Sequence, residues 1–240
     1  MQSYPLSYRI ANRIYEKNFP LYRRLYFLYK KTSDRQWITR IKAAVRPGMT
    51  VLDIGGNIGF YTGLFSKLAE EEGSVHVFEP AEPNFRHLQS YAGSLANVTL
   101  NRKAAGEKTK KTWLYLSDEL NVDHQTYDIG EDRSRVPIEC VSIDDYFKGG
   151  ETVDFVKMDI QGYDYFALLG MQDTLARSGR VNLMGELWPY GLNRAGADPL
   201  DYIKLLEALG FELEIPDEKT IAEKTGDKLF YHTFWATKAA

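Results

Sequence analysis

VLDIGGNIGFYTG, residues 51–63, decides the fold. The apolar run MTVLDIG (49–55) is broken by glycine, and Phe60, Leu64, Phe65 and Leu68 then recur at helical spacing. This reads as a strand buried on both faces, a glycine-rich turn and a helix across 58–71. Such a turn at the carboxyl end of a first strand offers its backbone to a nucleotide cofactor. Taken alone, the glycines also suit the tight turn of any strand-to-helix unit.

The same alternation continues downstream. SVHVFEP (74–80), VTLNRKA (98–104), VDFVKMDI (153–160), VNLMGEL (181–187), FELEI (211–215) and LFYHTFWAT (229–237) read as strands. Helices are predicted over 84–92, from near Tyr163, and over PLDYIKLLEALG (199–210). KTWLYLS (111–117) and RVPIECVSI (135–143) are extra extended segments around a polar loop at 118–134. Strands alternating with helices predict an α/β fold with a mostly parallel sheet covered by helices.

Composition bounds the rest. With 240 residues, 44% hydrophobic and 26% charged, the chain is neither disordered, collagen-like nor a coiled coil. The single cysteine, Cys140, excludes an internal disulfide and a cysteine-rich metal site. No apolar run approaches the roughly 18–20 residues of a membrane span, and MQSYPLSYRI lacks the apolar stretch of a signal peptide, so a cytoplasmic protein is expected. Charge divides the chain: residues 1–46 hold 11 Lys/Arg against two acids (+9), and the remainder holds 19 basic against 31 acidic residues (−12). We therefore separate a basic, aromatic-rich helical extension (1–46) from a main domain (47–240). Ile10, Ile14, Leu21, Leu25 and Leu28, with the tyrosines, give the extension amphipathic helices that cap the domain or close its pocket. The alternative is a peripheral contact with anionic lipid or a lipid-linked sugar.

Asp53 discriminates between cofactors. A dinucleotide's pyrophosphate rests on bare backbone N–H groups, and a carboxylate two residues before the first glycine opposes that anion. S-adenosylmethionine carries a sulfonium and an ammonium, which nearby carboxylates favour, and Gly55, Gly56 and Gly59 allow close approach of the backbone. Asn57 stands where G-x-G-x-x-G would place its second glycine. Glu79, 26 residues after Asp53 at the end of the second strand, suits the ribose hydroxyls of any adenosine ligand, a nicotinamide dinucleotide included.

VLDIGGNIGFYTG, VHVFEPAEPNFRHL (75–88) and VDFVKMDIQGYDYFALLG (153–170) together resemble the FkbM family of class I S-adenosylmethionine-dependent methyltransferases over roughly residues 47–237. The resemblance implies a Rossmann-like fold of seven strands, the last antiparallel between the fifth and sixth, and methyl transfer to a hydroxyl of a sugar or small natural product. It assigns Asp53, Gly55, Asn57 and Gly59 to the methionine part and Glu79 to the ribose, and Gly56, Phe60 and Pro80 join them as cofactor-binding candidates. Asn84 then lies near the same pocket and Lys103 and Ala104 border the adenine, with Asp159 and Gln161 at the end of the fourth strand. Gln161 departs from the glutamate common before that block's glycine.

Candidate catalytic residues follow from position. Lys157, Asp159 and Gln161 share one face if the strand stays regular. Asp159 and Glu186, at the ends of adjacent strands, can hold a divalent ion such as Mg²⁺, or act without metal as base and hydroxyl-positioning acid. A Lys157–Asp159 salt bridge is the purely structural alternative. His124, in the polar loop, is a further candidate base; His76, His87 and His232 read as packing or surface residues. Nucleic acid is not an expected partner, because the main domain is acidic and VKMDIQGY occupies the place of an Asn/Asp-Pro-Pro-aromatic loop. A non-catalytic cofactor-binding or membrane-docking module and an NAD-dependent oxidoreductase are the other readings of the same fold.

Overall fold

The computed structural model describes residues 6–116, 126 and 134–240. Three helices lead: α1 (Leu6–Lys17), α2 (Phe19–Ser33) and α3 (Arg35–Ala44). The main domain begins with β1 (Thr50–Ile54), α4 (Phe60–Ala69), β2 (Ser74–Phe78), α5 (Glu82–Ala92) and β3 (Val98–Asn101). After β4 (Ala104–Ala105), β5 (Lys110–Tyr115), β6 (Arg135–Val141) and α6 (Ile143–Tyr146) come β7 (Phe155–Met158), α7 (Asp164–Leu169), α8 (Gln172–Arg177) and β8 (Val181–Leu187). The chain continues through α9 (Pro189–Ala195), α10 (Pro199–Ala208), β9 (Phe211–Glu214), α11 (Glu218–Glu223) and β10 (His232–Lys238).

Seven strands form one sheet in the order β3-β2-β1-β7-β8-β10-β9. The first five are parallel, and β10 runs antiparallel between β8 and β9. The order reverses beside β1, which leaves a crevice outside the carboxyl ends of β1 and β7. The two extra extended segments form β5 and β6, which join β4 in a separate three-stranded sheet. Several expected strands are shorter than predicted: β3 stops at Asn101, β7 at Met158 and β9 at Glu214, and β10 starts only at His232.

Side-chain alternation divides the core in two. Leu52, Ile54, Val156 and Met158 face one helical layer with Leu168, Leu183 and Leu206. Val51, Phe155 and Val77 face the other, with Phe65, Leu88 and Trp235. Ile41 and Val45 join this second cluster, so the basic leading segment packs on the main domain. Arg40 adds a bidentate pair to Glu214 at 2.6 Å and lies over the Trp235 ring. Asp34, between α2 and α3, accepts a hydrogen bond from the Tyr61 hydroxyl of α4 at 2.5 Å.

Candidate active site

The carboxyl ends of β1, β2, β7 and β8 open into a cavity of about 590 Å³. Its floor is the turn between β1 and α4. Gly55 has φ +84°, and a Cβ there would lie 2.1 Å from the Asp159 carbonyl oxygen, so the turn packs directly on the segment after β7. A Cβ at Gly56 would meet Val77 at 2.3 Å and one at Gly59 the Tyr91 ring at 2.8 Å. The three glycines are thus required by contacts inside the protein.

Asp53 lies behind this turn. The β1–β7 register sets it beside Lys157, both on the α4 side of the sheet. Its carboxylate accepts from Thr62 Oγ1 at 2.6 Å and stands 3.6 Å from Lys157 Nζ, which also donates to the Gly55 carbonyl at 2.7 Å. Burial raises the Asp53 pKa, against the pull of Lys157 and Thr62. Asp53 is fully buried and does not line the cavity. The alternative Lys157–Asp159 bridge is absent among the described residues, because Lys157 turns to Asp53 and the backbone of the turn.

Glu79 braces the other side. Oε2 accepts from Asn57 N–H and Oε1 from Ala81 N–H, both at 2.9 Å. Burial lifts its pKa to about 7, although both backbone bonds favour the charged form. Asn57 sits in the left-handed region at φ +49°, so Glu79 holds a turn that is strained at that residue.

Past β7 the chain turns instead of continuing as a strand, and Gln161 takes φ +57°. Its Nε2 donates to Asp159 Oδ1 at 3.1 Å and to Glu186 Oε2 at 3.4 Å, bridging the two carboxylates. Asp164 accepts from the Gly162 and Ile160 N–H groups, which fixes this turn at the start of α7. Burial, then Asp159, lifts the Asp164 pKa to about 7. Burial and the neighbouring Asp159 and Asp164 also hold the Glu186 carboxyl well above the usual range. A Cβ at Gly162 would meet the Gly191 backbone at 2.4 Å, so the segments after β7 and β8 touch main chain to main chain.

Of the residues assigned from sequence, Gly55, Gly56, Asn57, Phe60, Glu79, Pro80, Asn84, Lys103, Ala104, Lys157, Asp159, Gln161 and Glu186 line the cavity. Asp53 and Gly59 stand behind it, and His124 lies outside the described residues. The expectation of a metal at Asp159 and Glu186 finds no support in this geometry. Among the described residues no group of three His, Cys, Asp or Glu side chains can hold an ion, and the Gln161 amide donates into the space between the two acids.

Sequence reasoning did not place Tyr26, Tyr29 and Lys30 of α2, which supply one wall of the cavity. Burial raises the Tyr26 phenol's pKa, reinforced by Tyr22 and Asp159. Lys30 pairs with Asp34. The crowding of tyrosines in residues 4–29 was the available signal.

Among the described residues Lys30, Lys103, Lys157 and Lys228 line the cavity together with Glu79, Asp159 and Glu186. Lys30, Lys103 and Lys157 are paired with Asp34, Glu139 and Asp53. Glu79, Asp159 and Glu186 face the cavity, and among the described residues none of the three is in an ion pair. A cationic adenosine ligand fits this donor set, because carboxylates in a low-dielectric crevice attract a sulfonium or ammonium and repel a diphosphate.

Comparison with known proteins agrees with the topology. The model of the methyltransferase FkbM domain matches residues 53–213. A curated relative, 31-O-demethyl-FK506 methyltransferase FkbM of Streptomyces tacrolimicus, is 32% identical over 101 residues, 42% of this chain and 35% of that protein. The match thus spans about a third of the relative's length. The crystal structure of methyltransferase FkbM from Methylobacillus flagellatus superposes with a TM-score of 0.51 at 16% identity, over 83% of this chain and 50% of that one. Sequence blocks, sheet order and family match lead to one conclusion: this chain belongs to the FkbM methyltransferase family, on a class I methyltransferase fold.

Proposed function

We propose that this protein transfers a methyl group from S-adenosylmethionine to a hydroxyl oxygen of a sugar or small natural product. The observation that carries the reading is the set of three cavity carboxyl groups that form no ion pair among the described residues, two of them bridged by Gln161. The relative's printed name, a 31-O-demethyl-FK506 methyltransferase, supports an oxygen acceptor.

Bound S-adenosylmethionine supplies an activated methyl group on a cationic sulfur. The protein's own residues do the remaining work. Each Glu79 oxygen accepts one backbone N–H and keeps lone pairs for the two O–H donors of a ribose. Glu186, with its raised proton affinity, can take the proton of an acceptor hydroxyl, and Asp159, held by Gln161, orients that hydroxyl. Tyr26, Tyr29 and Trp188 give the acceptor an aromatic wall.

Calorimetry with S-adenosylhomocysteine and with NAD tests the cofactor. Turnover of S-adenosylmethionine with a panel of hydroxylated acceptors, repeated with Glu186→Gln, tests the chemistry. Binding of the homocysteine ligand alone is expected, with a kcat loss of roughly 10²–10⁴-fold in the variant at unchanged cofactor affinity. Preferential binding of NAD, or undiminished turnover by the variant, refutes the assignment.

A further inference from the structure

α2 is apolar on two opposite faces. Its inner face carries Tyr22, Tyr26 and Phe27 against the domain, where Tyr22 is 8% exposed and Phe27 meets the Phe60 and Tyr91 rings. Its outer face carries Leu21, Leu25 and Leu28 at spacings of four and seven residues, 43–54% exposed, and Tyr29, 64% exposed, lies at the edge between this face and the inner one. A surface helix ordinarily presents polar residues there. Exposed Arg24 and Lys31 flank this stripe on the side of Leu28. Arg13, Lys17 and Arg35 are also exposed, whereas Glu16 is the one exposed acid among residues 11–46.

The stripe continues to the mouth of the cavity. Tyr29, at its edge, lines the cavity, and Leu229 and Tyr231, 74% and 62% exposed, line the same cavity. Six of the eight large hydrophobic residues exposed among the described residues thus gather at α2 and the cavity rim. An apolar stripe bordered by cations matches an anionic bilayer, whose acyl boundary accepts leucine and whose headgroups accept arginine and lysine. No described helix is long and apolar enough to cross a membrane, so the contact lies in the interface plane. We infer that the outer face of α2 docks on an anionic phospholipid surface and brings the mouth of the cavity to the membrane. The inference holds whatever chemistry the cavity performs.

Co-sedimentation of the full chain with vesicles of roughly two parts phosphatidylcholine to one part phosphatidylglycerol tests it, with pure phosphatidylcholine vesicles in parallel. Binding is expected on the anionic vesicles only, weakening as salt is raised. The triple variant Leu21→Ser, Leu25→Ser, Leu28→Ser is expected to bind at least about tenfold more weakly with an unchanged melting curve, since none of the three lines the cavity. Arg24→Glu with Lys31→Glu, which leaves the stripe intact, is expected to lose roughly tenfold or more. Leu25→Trp places a reporter in the stripe, and its emission is expected to be quenched by brominated lipid. Four results overturn the inference: a chain that stays in the supernatant, vesicle binding unchanged in the leucine variant, tryptophan emission untouched by brominated lipid, or a solution dimer that the leucine substitutions dissociate. The last result would show that a second copy covers the stripe.

Discussion

Replacing Lys157 by methionine isolates the buried ion pair beneath the glycine turn. The Lys157 and Asp53 side chains are 4% and 0% exposed, and the ammonium stands 3.6 Å from the carboxylate while donating to the Gly55 carbonyl at 2.7 Å. Methionine fills similar volume but leaves Asp53 with Thr62 as its single hydrogen-bond donor. Breaking one side of a buried pair costs about 3–5 kcal/mol, because the other charge remains desolvated without compensation. For a chain of this size that is a fall in Tm of roughly 6–20 °C. Asp53→Asn is expected to fall in the same range, for the same reason with the roles reversed. The double variant, with neither charge, is expected to lose well under the sum of the two, with a coupling of about 1–3 kcal/mol. Urea denaturation of the four proteins measures the cycle. If the single variants each lose less than about 1 kcal/mol, or if the losses add, the pair is not what holds the turn.

Gly55→Ala places a Cβ against the Asp159 carbonyl at a positive φ, and urea denaturation is expected to show a loss of at least about 3 kcal/mol. Asp164, with its carboxyl lifted to about 7, gives a pH dependence of definite sign. Unfolding returns it to a pKa of roughly 4, so the unfolded chain releases a proton that the folded chain keeps, and the contribution present below that pH is lost as pH rises through about 7. Relative to Asp164→Asn, the protein is expected to lose roughly 4 kcal/mol over that window, and parallel slopes would contradict the assignment. Tyr61→Phe removes the 2.5 Å bond to Asp34 and is expected to cost about 1.5–3 kcal/mol. Hydrogen exchange should then quicken in α2, and unchanged protection there would show that the bond does not hold the helix down.

The sheet was legible because buried parallel strands read as short, mostly apolar runs with a glycine or acid at or near their carboxyl ends, and β1, β2, β7 and β8 each do so. Cross-strand register was not legible. Asp53 pairs with Lys157 because β1 and β7 lie adjacent with those two residues opposite each other, and nothing within either strand records that alignment. The same limit applied to Gln161. A regular strand would have pointed it alongside Asp159, whereas the chain turns at a left-handed residue and the amide reaches back across to Glu186. Periodicity gave α2 its amphipathic character but carried no information about what each face meets. Tyr26 and Lys30 therefore became part of the site only in three dimensions.

The wall built by α2 comes from residues that precede 53–213, the stretch matched by the family model. One side of the chamber is thus written in a different part of the chain from the carboxylates at its base. Splicing another leader onto the same core would remodel that wall in a single step, leaving Glu79, Asp159 and Glu186 untouched.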